Sequence, residues 1–283
     1  MASYQFFRAL DRYAIKLENI VNADIFWYYG TIDHACKPIF IEEIERLASK
    51  SQYDKLYFCI TTPGGSAEMT EIMVDVMRKF YKEVYFVVPD YAYSAGTILC
   101  MSGDKIFMNY YSSLGPIDPQ ILVNGKFVSA QGYIDQFEMI KEKSKNGTIT
   151  AIEAQMALNL NLADLNFYIQ ARNLAVSLLK KWLVQYKFKD WIRHQTTGQL
   201  VTDDERNSRA EKIAHLLGDN SIWHSHGRHI GMETLKNEIG LKIEDLGETP
   251  NLQKAIQDYH SLAIDLATQN HYSLFMHSKK SRR

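Results

Sequence analysis

Glu83 to Thr97 reads EVYFVVPDYAYSAGT, and the fold turns on how this stretch is parsed. Val84, Tyr85, Phe86, Val87 and Val88 are β-branched or aromatic and predict a buried strand, which Pro89 closes. After a short turn comes Ser94-Ala95-Gly96-Thr97, and the apolar Ile98-Leu99-Cys100-Met101 reads as the first turns of a buried helix. A serine at such a junction sits among unpaired backbone N–H groups at the positive end of a helix dipole. Two readings of Ser94 fit that position. It is either a helix N-cap or an activated hydroxyl beside a site for a developing oxyanion.

A second strand-to-helix junction lies upstream. Lys55 to Thr61 (KLYFCIT) predicts another buried strand, ending in Thr62-Pro63-Gly64-Gly65-Ser66. Met69, Ile72, Met73, Val76 and Phe80 then repeat at helical spacing. Paired glycines can turn with positive φ and bring bare N–H groups close to a ligand, though Pro-Gly-Gly is also a common turn. In open α/β layers ligands gather beyond the carboxyl ends of the strands, so Gly64-Gly65 and Ser94 are candidates for one shared site.

A strand ending in PGG, a helix, and a strand ending in Tyr-Ser-Ala-Gly-Thr resemble the Clp-protease/crotonase fold. The chain is most similar to its signal peptide peptidase A and serine dehydrogenase proteinase branch. Asp104-Lys105-Ile106-Phe107-Met108 and Ser113-Leu114-Gly115-Pro116-Ile117-Asp118-Pro119-Gln120 continue the likeness, which covers roughly 24–120 with a weaker echo at 226–246. The resemblance implies a serine peptidase with Ser94 as nucleophile and the N–H groups of Gly65 and Ala95 as oxyanion hole. Gly64 would border the substrate.

Such a serine needs a proton acceptor. The Clp protease uses a histidine a short way downstream, but here no histidine lies between His34 and His194. Peptidase A relatives use a lysine further on, a role that requires burial to lower its pKa. Lys141, Lys143 and Lys145 fall in that window, in a run (KEKSKNG) that also reads as a solvated helix end; Lys143 is preferred, for its neighbouring glutamate and Ser144. Asp118, between two prolines, either binds substrate or orients a base, or is simply a turn residue. His224, His226 and His229 cluster but match no common zinc spacing and read as a polar turn. No nucleotide motif is present, and neither a cofactor nor a metal is expected.

The chain has 283 residues, a net charge of −1 and 46% hydrophobic residues, enough for a large core. Near-neutral charge gives no reason to expect nucleic-acid binding; only the tail from Lys279 to Arg283 is strongly basic. Cys36, Cys59 and Cys100 read as reduced core residues. The first 20 residues lack a signal-peptide core, and no apolar run is long enough to span a bilayer, so a cytoplasmic location is expected.

The expected architecture is α/β: a Clp/crotonase-type layered core of mainly parallel strands with helical crossovers, plus a helical lobe. The division reads as an N-terminal helix (1–22), a catalytic core (23–147), a helical lobe (148–218) and a closing strand-helix unit with a final helix (219–283). Two rivals remain, an acyl-CoA hydratase or isomerase on the same fold and a non-catalytic peptide-binding relative. The expected partners are a protein or peptide substrate and further copies of the chain. Surplus apolar helix faces motivate the oligomer, with Trp182, Trp191 and Trp223 as candidate interface anchors.

Overall fold

A computed structural model describes residues 2–123, 125–194 and 196–279; the basic tail from Lys280 onward lies outside them. Helix α1 (Ala2–Val21) leads into β1 (Asp24–Gly30), and α2 (Lys37–Ser49) leads into β2 (Lys55–Thr61). Next come α3 (Ala67–Phe80), β3 (Glu83–Val88), the two-residue β4 (Tyr91–Ala92), α4 (Ala95–Cys100), β5 (Lys105–Met108) and β6 (Ser113–Leu114). A hairpin of β7 (Gln120–Val123) and β8 (Lys126–Ser129) precedes the helices α5 (Ala130–Lys145), α6 (Ala151–Leu158), α7 (Leu162–Trp182), α8 (Asp203–Gly218) and α9 (Asn220–Trp223). The chain closes through β9 (Ile230–Gly231), α10 (Met232–Thr234), β10 (Glu244–Asp245), α11 (Pro250–Gln269) and β11 (Leu274–His277).

The main sheet has six strands in the order β10-β5-β3-β2-β1-β11, parallel except for β11. Period-two alternation sends Leu56, Phe58, Ile60, Val84, Phe86 and Val88 to one face, under α2, α3, α4, α7 and α8. Tyr57, Cys59, Tyr85 and Val87 face the opposite way, under α1 and α11. Both faces are covered, which is why β2 and β3 read as unbroken apolar runs. The mainly parallel layered core expected from the sequence is present, and all three cysteines are free and buried within it. No helix among the described residues is long and apolar enough to cross a membrane.

Within the helical lobe the segment 150–185 divides into two helices: Thr150 opens α6 with a capping box to Glu153, and Asn161 caps α7 through Ala163 N–H. Those caps break the helix without Gly or Pro. At the C-terminus, His271 turns with φ 54° and ends α11, and Leu274–His277 pairs antiparallel with β1 rather than extending the helix. Trp182 and Trp223 are buried in the chain's own main core, so they do not serve as interface anchors.

Candidate active site

Several short extended segments end side by side. β4 runs parallel to β6 (Ala92 beside Leu114), and β6 runs antiparallel to β9 (Leu114 beside Ile230). On the other flank of β4, Thr62 N–H donates to Tyr91 O at 3.1 Å and Tyr93 N–H donates to Thr62 O at 3.0 Å. The chain leaving β4 reaches Ser94, and the chain leaving β6 reaches Gly115–Asp118. Because β9 runs the opposite way, the chain entering it arrives from His226. Gly64-Gly65, Ser94, Asp118 and His226 therefore emerge at the same end of this small sheet, although the sequence scatters them over more than half its length.

Ser94 has φ 52° and ψ −118°, a conformation that costs a non-glycine residue about 1–3 kcal/mol. The turn is held by Gly96 N–H donating to Tyr93 O (2.8 Å) and Ile98 N–H donating to Ser94 O (3.1 Å). The side chain makes no cap bond to α4, so its hydroxyl is not used to close the helix. A strained strand-to-helix turn of this kind presents a serine hydroxyl outward.

The Pro-Gly-Gly loop packs directly on that turn. A Cβ on Gly64 would stand 2.7 Å from Ser94 Cβ and 2.7 Å from Tyr93 O, so only glycine allows this approach. Gly64 N–H is taken internally by Thr62 Oγ1 at 3.0 Å. Gly65 differs. Its bridge to Ile32 uses the Gly64 carbonyl and the Ser66 N–H, which directs Gly65's own N–H to the opposite edge. Among the described residues neither Gly65 N–H nor Ala95 N–H has a protein acceptor.

Thr97 ties the serine turn to the Gly115–Pro119 segment. Its hydroxyl faces the carbonyls of Ala92 (2.8 Å) and Gly115 (2.9 Å) and accepts from Gly115 N–H at 3.0 Å. Three residues on, the Asp118 side chain is fully buried, accepting from Gln120 Nε2 at 2.8 Å and from His226 Nδ1 at 2.8 Å. A carboxylate only accepts, so Nδ1 is the donor in this contact. The His226 side chain retains 23% exposure.

Comparison with known proteins gives the family. Residues 39–207 match the family described as ClpP-like SDH-type serine proteinase, a span that includes Gly65, Ser94 and Asp118. The chain belongs to this family. His226 lies beyond the matched span.

The SDH-type chain is 28% identical over 165 residues to the uncharacterized protein MJ0137 of Methanocaldococcus jannaschii, covering 57% of this chain and 53% of that protein. It is likewise 28% identical over 94 residues to the uncharacterized protein MJ1495 of the same organism, covering 33% and 31%. It thus spans about half the length of the first relative and less of the second. A solved variant of the 1510-N membrane-bound stomatin-specific protease aligns with 80% of this chain and 81% of its own, at 14% identity and a TM-score of 0.46. The ClpP protease catalytic domain from Plasmodium falciparum aligns over 35% and 57%, at 16% identity and a TM-score of 0.30.

The three candidate lysines, Lys141, Lys143 and Lys145, lie on α5 and each is ion-paired. Lys141 meets Glu138 at 2.9 Å, Lys145 meets Glu142 at 3.4 Å, and Lys143 meets Glu153. The Lys143 ammonium, with the Thr150 cap, holds the Glu153 carboxyl down at about 2. The Lys143 side chain is 40% exposed and ion-paired with Glu153, whereas a lysine base requires burial. The pairing of Asp118 with His226 was not foreseen from sequence. Its signal was a histidine-rich turn just before a short strand, together with an aspartate in a tight turn. Among the described residues no group of three or more His, Cys, Asp or Glu is arranged to hold a metal.

Proposed function

We propose that this chain is a serine peptidase that cleaves peptide bonds through an acyl-enzyme. Ser94 Oγ attacks the scissile carbonyl and its proton passes to His226 Nε2. The carbonyl oxygen becomes an oxyanion held by the N–H groups of Gly65 and Ala95, each donor being worth about 3 kcal/mol in the barrier. Asp118 fixes the imidazole tautomer and stabilises the imidazolium. His226 then returns the proton to the leaving amine as the C–N bond breaks. Water, deprotonated by the same imidazole, releases the acyl group as a carboxylic acid and restores Ser94.

The observation that carries this reading is the strained Ser94 turn packed against Gly64, with two unpaired amides beside it. An acyl-CoA hydratase or isomerase would need no serine at that turn. Hydrolysis of a fluorogenic peptide by the full chain, set against Ser94→Ala, tests the reading; equal rates would end it. The second reading takes Lys143 as base, on the strength of the family resemblance, and requires that its ion pair with Glu153 open on substrate binding. The contact of His226 with buried Asp118, and the ion pair that occupies Lys143, support His226 as the base.

The active form is proposed to be a homo-oligomer. Ile152, Leu158, Leu162 and Phe167 on α6 and α7 are each more than 60% exposed, an apolar surface larger than isolated exposed residues would give.

A further inference from the structure

The face of the main sheet under α1 and α11 lies across the strands from α4, the helix that Ser94 opens. A cavity of about 460 Å³ opens there, within the size range of small-molecule sites. Ile20 and Val21 at the end of α1, Tyr57 of β2 and Thr249 to Leu252 at the start of α11 line it.

The first turn of α11 leaves donors unused. Thr249 does not cap the helix, because its hydroxyl donates back to Leu246 O at 3.3 Å. Pro250 has no N–H, and Gln253 N–H already donates to Thr249 O at 2.9 Å. Among the described residues the Asn251 and Leu252 N–H groups have no protein acceptor, at the positive end of a 20-residue helix.

Tyr57 adds a third donor. The residue is 9% exposed, and its ring packs on Tyr85 and Phe107 with centroids 5.1 and 5.5 Å away. Its hydroxyl has no hydrogen-bond partner among the described residues. Burial, with Glu83 and Glu244 within electrostatic reach, pushes its pKa up to about 12, so the phenol keeps its proton and donates.

Three donors at the positive end of a helix suit an anion. Among the described residues no Lys, Arg or His lines the cavity, and Glu83 and Glu244 oppose a second negative charge near Tyr57. A monoanion therefore fits and a phosphate dianion does not, while Ile20, Val21 and Leu252 offer an apolar wall. We propose that this cavity binds a small aliphatic monocarboxylate. Its carboxylate accepts from Asn251 N–H, Leu252 N–H and Tyr57 O–H, and its hydrocarbon body lies on Ile20, Val21 and Leu252. The proposal stands apart from the peptidase reading, because none of these residues belongs to the Ser94 site.

The test is a titration of the intact chain with isovalerate carrying a ¹³C carboxyl, followed by the shift and width of that resonance. Saturable binding is expected. Isovaleramide, which has the same shape without the charge, should compete about tenfold less well or worse, and inorganic phosphate should not compete. Tyr57→Phe removes only an unpartnered hydroxyl, so it should melt no lower than wild type yet bind isovalerate about fivefold less tightly or worse. Ile20→Trp, at a position 39% exposed on the rim, should block binding without lowering the melting temperature. Acetyl-leucine carries the same carboxylate on a peptide unit, and tighter binding of it or of isovalerate supports the site and tells a chain terminus from a free acid. No saturable shift, competition by the amide or phosphate as strong as by unlabelled isovalerate, or undiminished binding in Tyr57→Phe overturns the site.

Discussion

His226 Nδ1 lies 2.8 Å from the buried Asp118 Oδ1, a contact between residues 108 positions apart. Among the described residues the carboxylate has Gln120 as its one other donor. A buried charge that loses its partner is destabilising, so the informative change is one that keeps shape. Asp118→Asn should retain the fold and lower kcat by on the order of 10³–10⁴-fold, because the amide no longer selects the tautomer with Nε2 open. Steady-state kinetics beside a melting curve would show it, and activity within threefold of wild type would contradict the assigned role.

Lys143→Ala provides the contrast. Its ammonium is partly exposed and bound to Glu153, so its loss should leave kcat within a few-fold and move the melting temperature little. A loss comparable to that of His226→Ala would return the base to the lysine.

The glycine loop makes a stability prediction. Gly65 has φ 146°, and a Cβ there would come within 2.0 Å of Ile32 O, so Gly65→Ala must displace the loop or strain it. A loss of about 1–3 kcal/mol from the backbone alone is expected in urea titrations, together with loss of turnover. Gly125→Ala, also at positive φ but with open space around it, should cost less.

His260 sets a pH dependence. It lies partly buried on α11 beside the Trp27 ring, its Nδ1 has no partner, and burial pulls its pKa down to about 4. Between about pH 4 and the ordinary histidine value, the unfolded chain binds this proton and the folded chain does not. The group's contribution is thus complete above roughly pH 6.5 and is lost as pH falls toward 4, on the order of 2–3 kcal/mol. Urea midpoints at pH 7 and pH 4.5 should differ less in His260→Leu than in wild type; an equal difference would contradict the assignment.

Much of this was legible in the chain. The runs LYFCI and VYFVV announced parallel strands buried on both faces, and the PGG and SAGT junctions marked where those strands stop. Both signals are local, set by side chains within a few residues. The Asp118–His226 contact is not local: β9 brings His226 to Asp118 through a two-residue strand, too short to leave a hydrophobic pattern. Along the sequence after Ser94 there is no histidine before His194, so the nearer stretch offers lysines such as those of α5 instead. β11 was missed for a related reason, since Leu274–His277 follows a long amphipathic helix and only the turn at His271 separates them.

The surface of α6 and α7 bears on assembly. Light scattering at micromolar concentration should give a mass that is a multiple of 32.7 kDa. A single active species at the chain mass would contradict the proposed oligomer.

The central claim is that Ser94 is an activated nucleophile, and fluorophosphonate labelling followed by peptide mass spectrometry tests it most directly. One adduct per chain is expected, on the peptide containing Ser94, absent in Ser94→Ala and strongly slowed in His226→Ala. No adduct on the intact chain, or an adduct that persists in Ser94→Ala, would contradict the account.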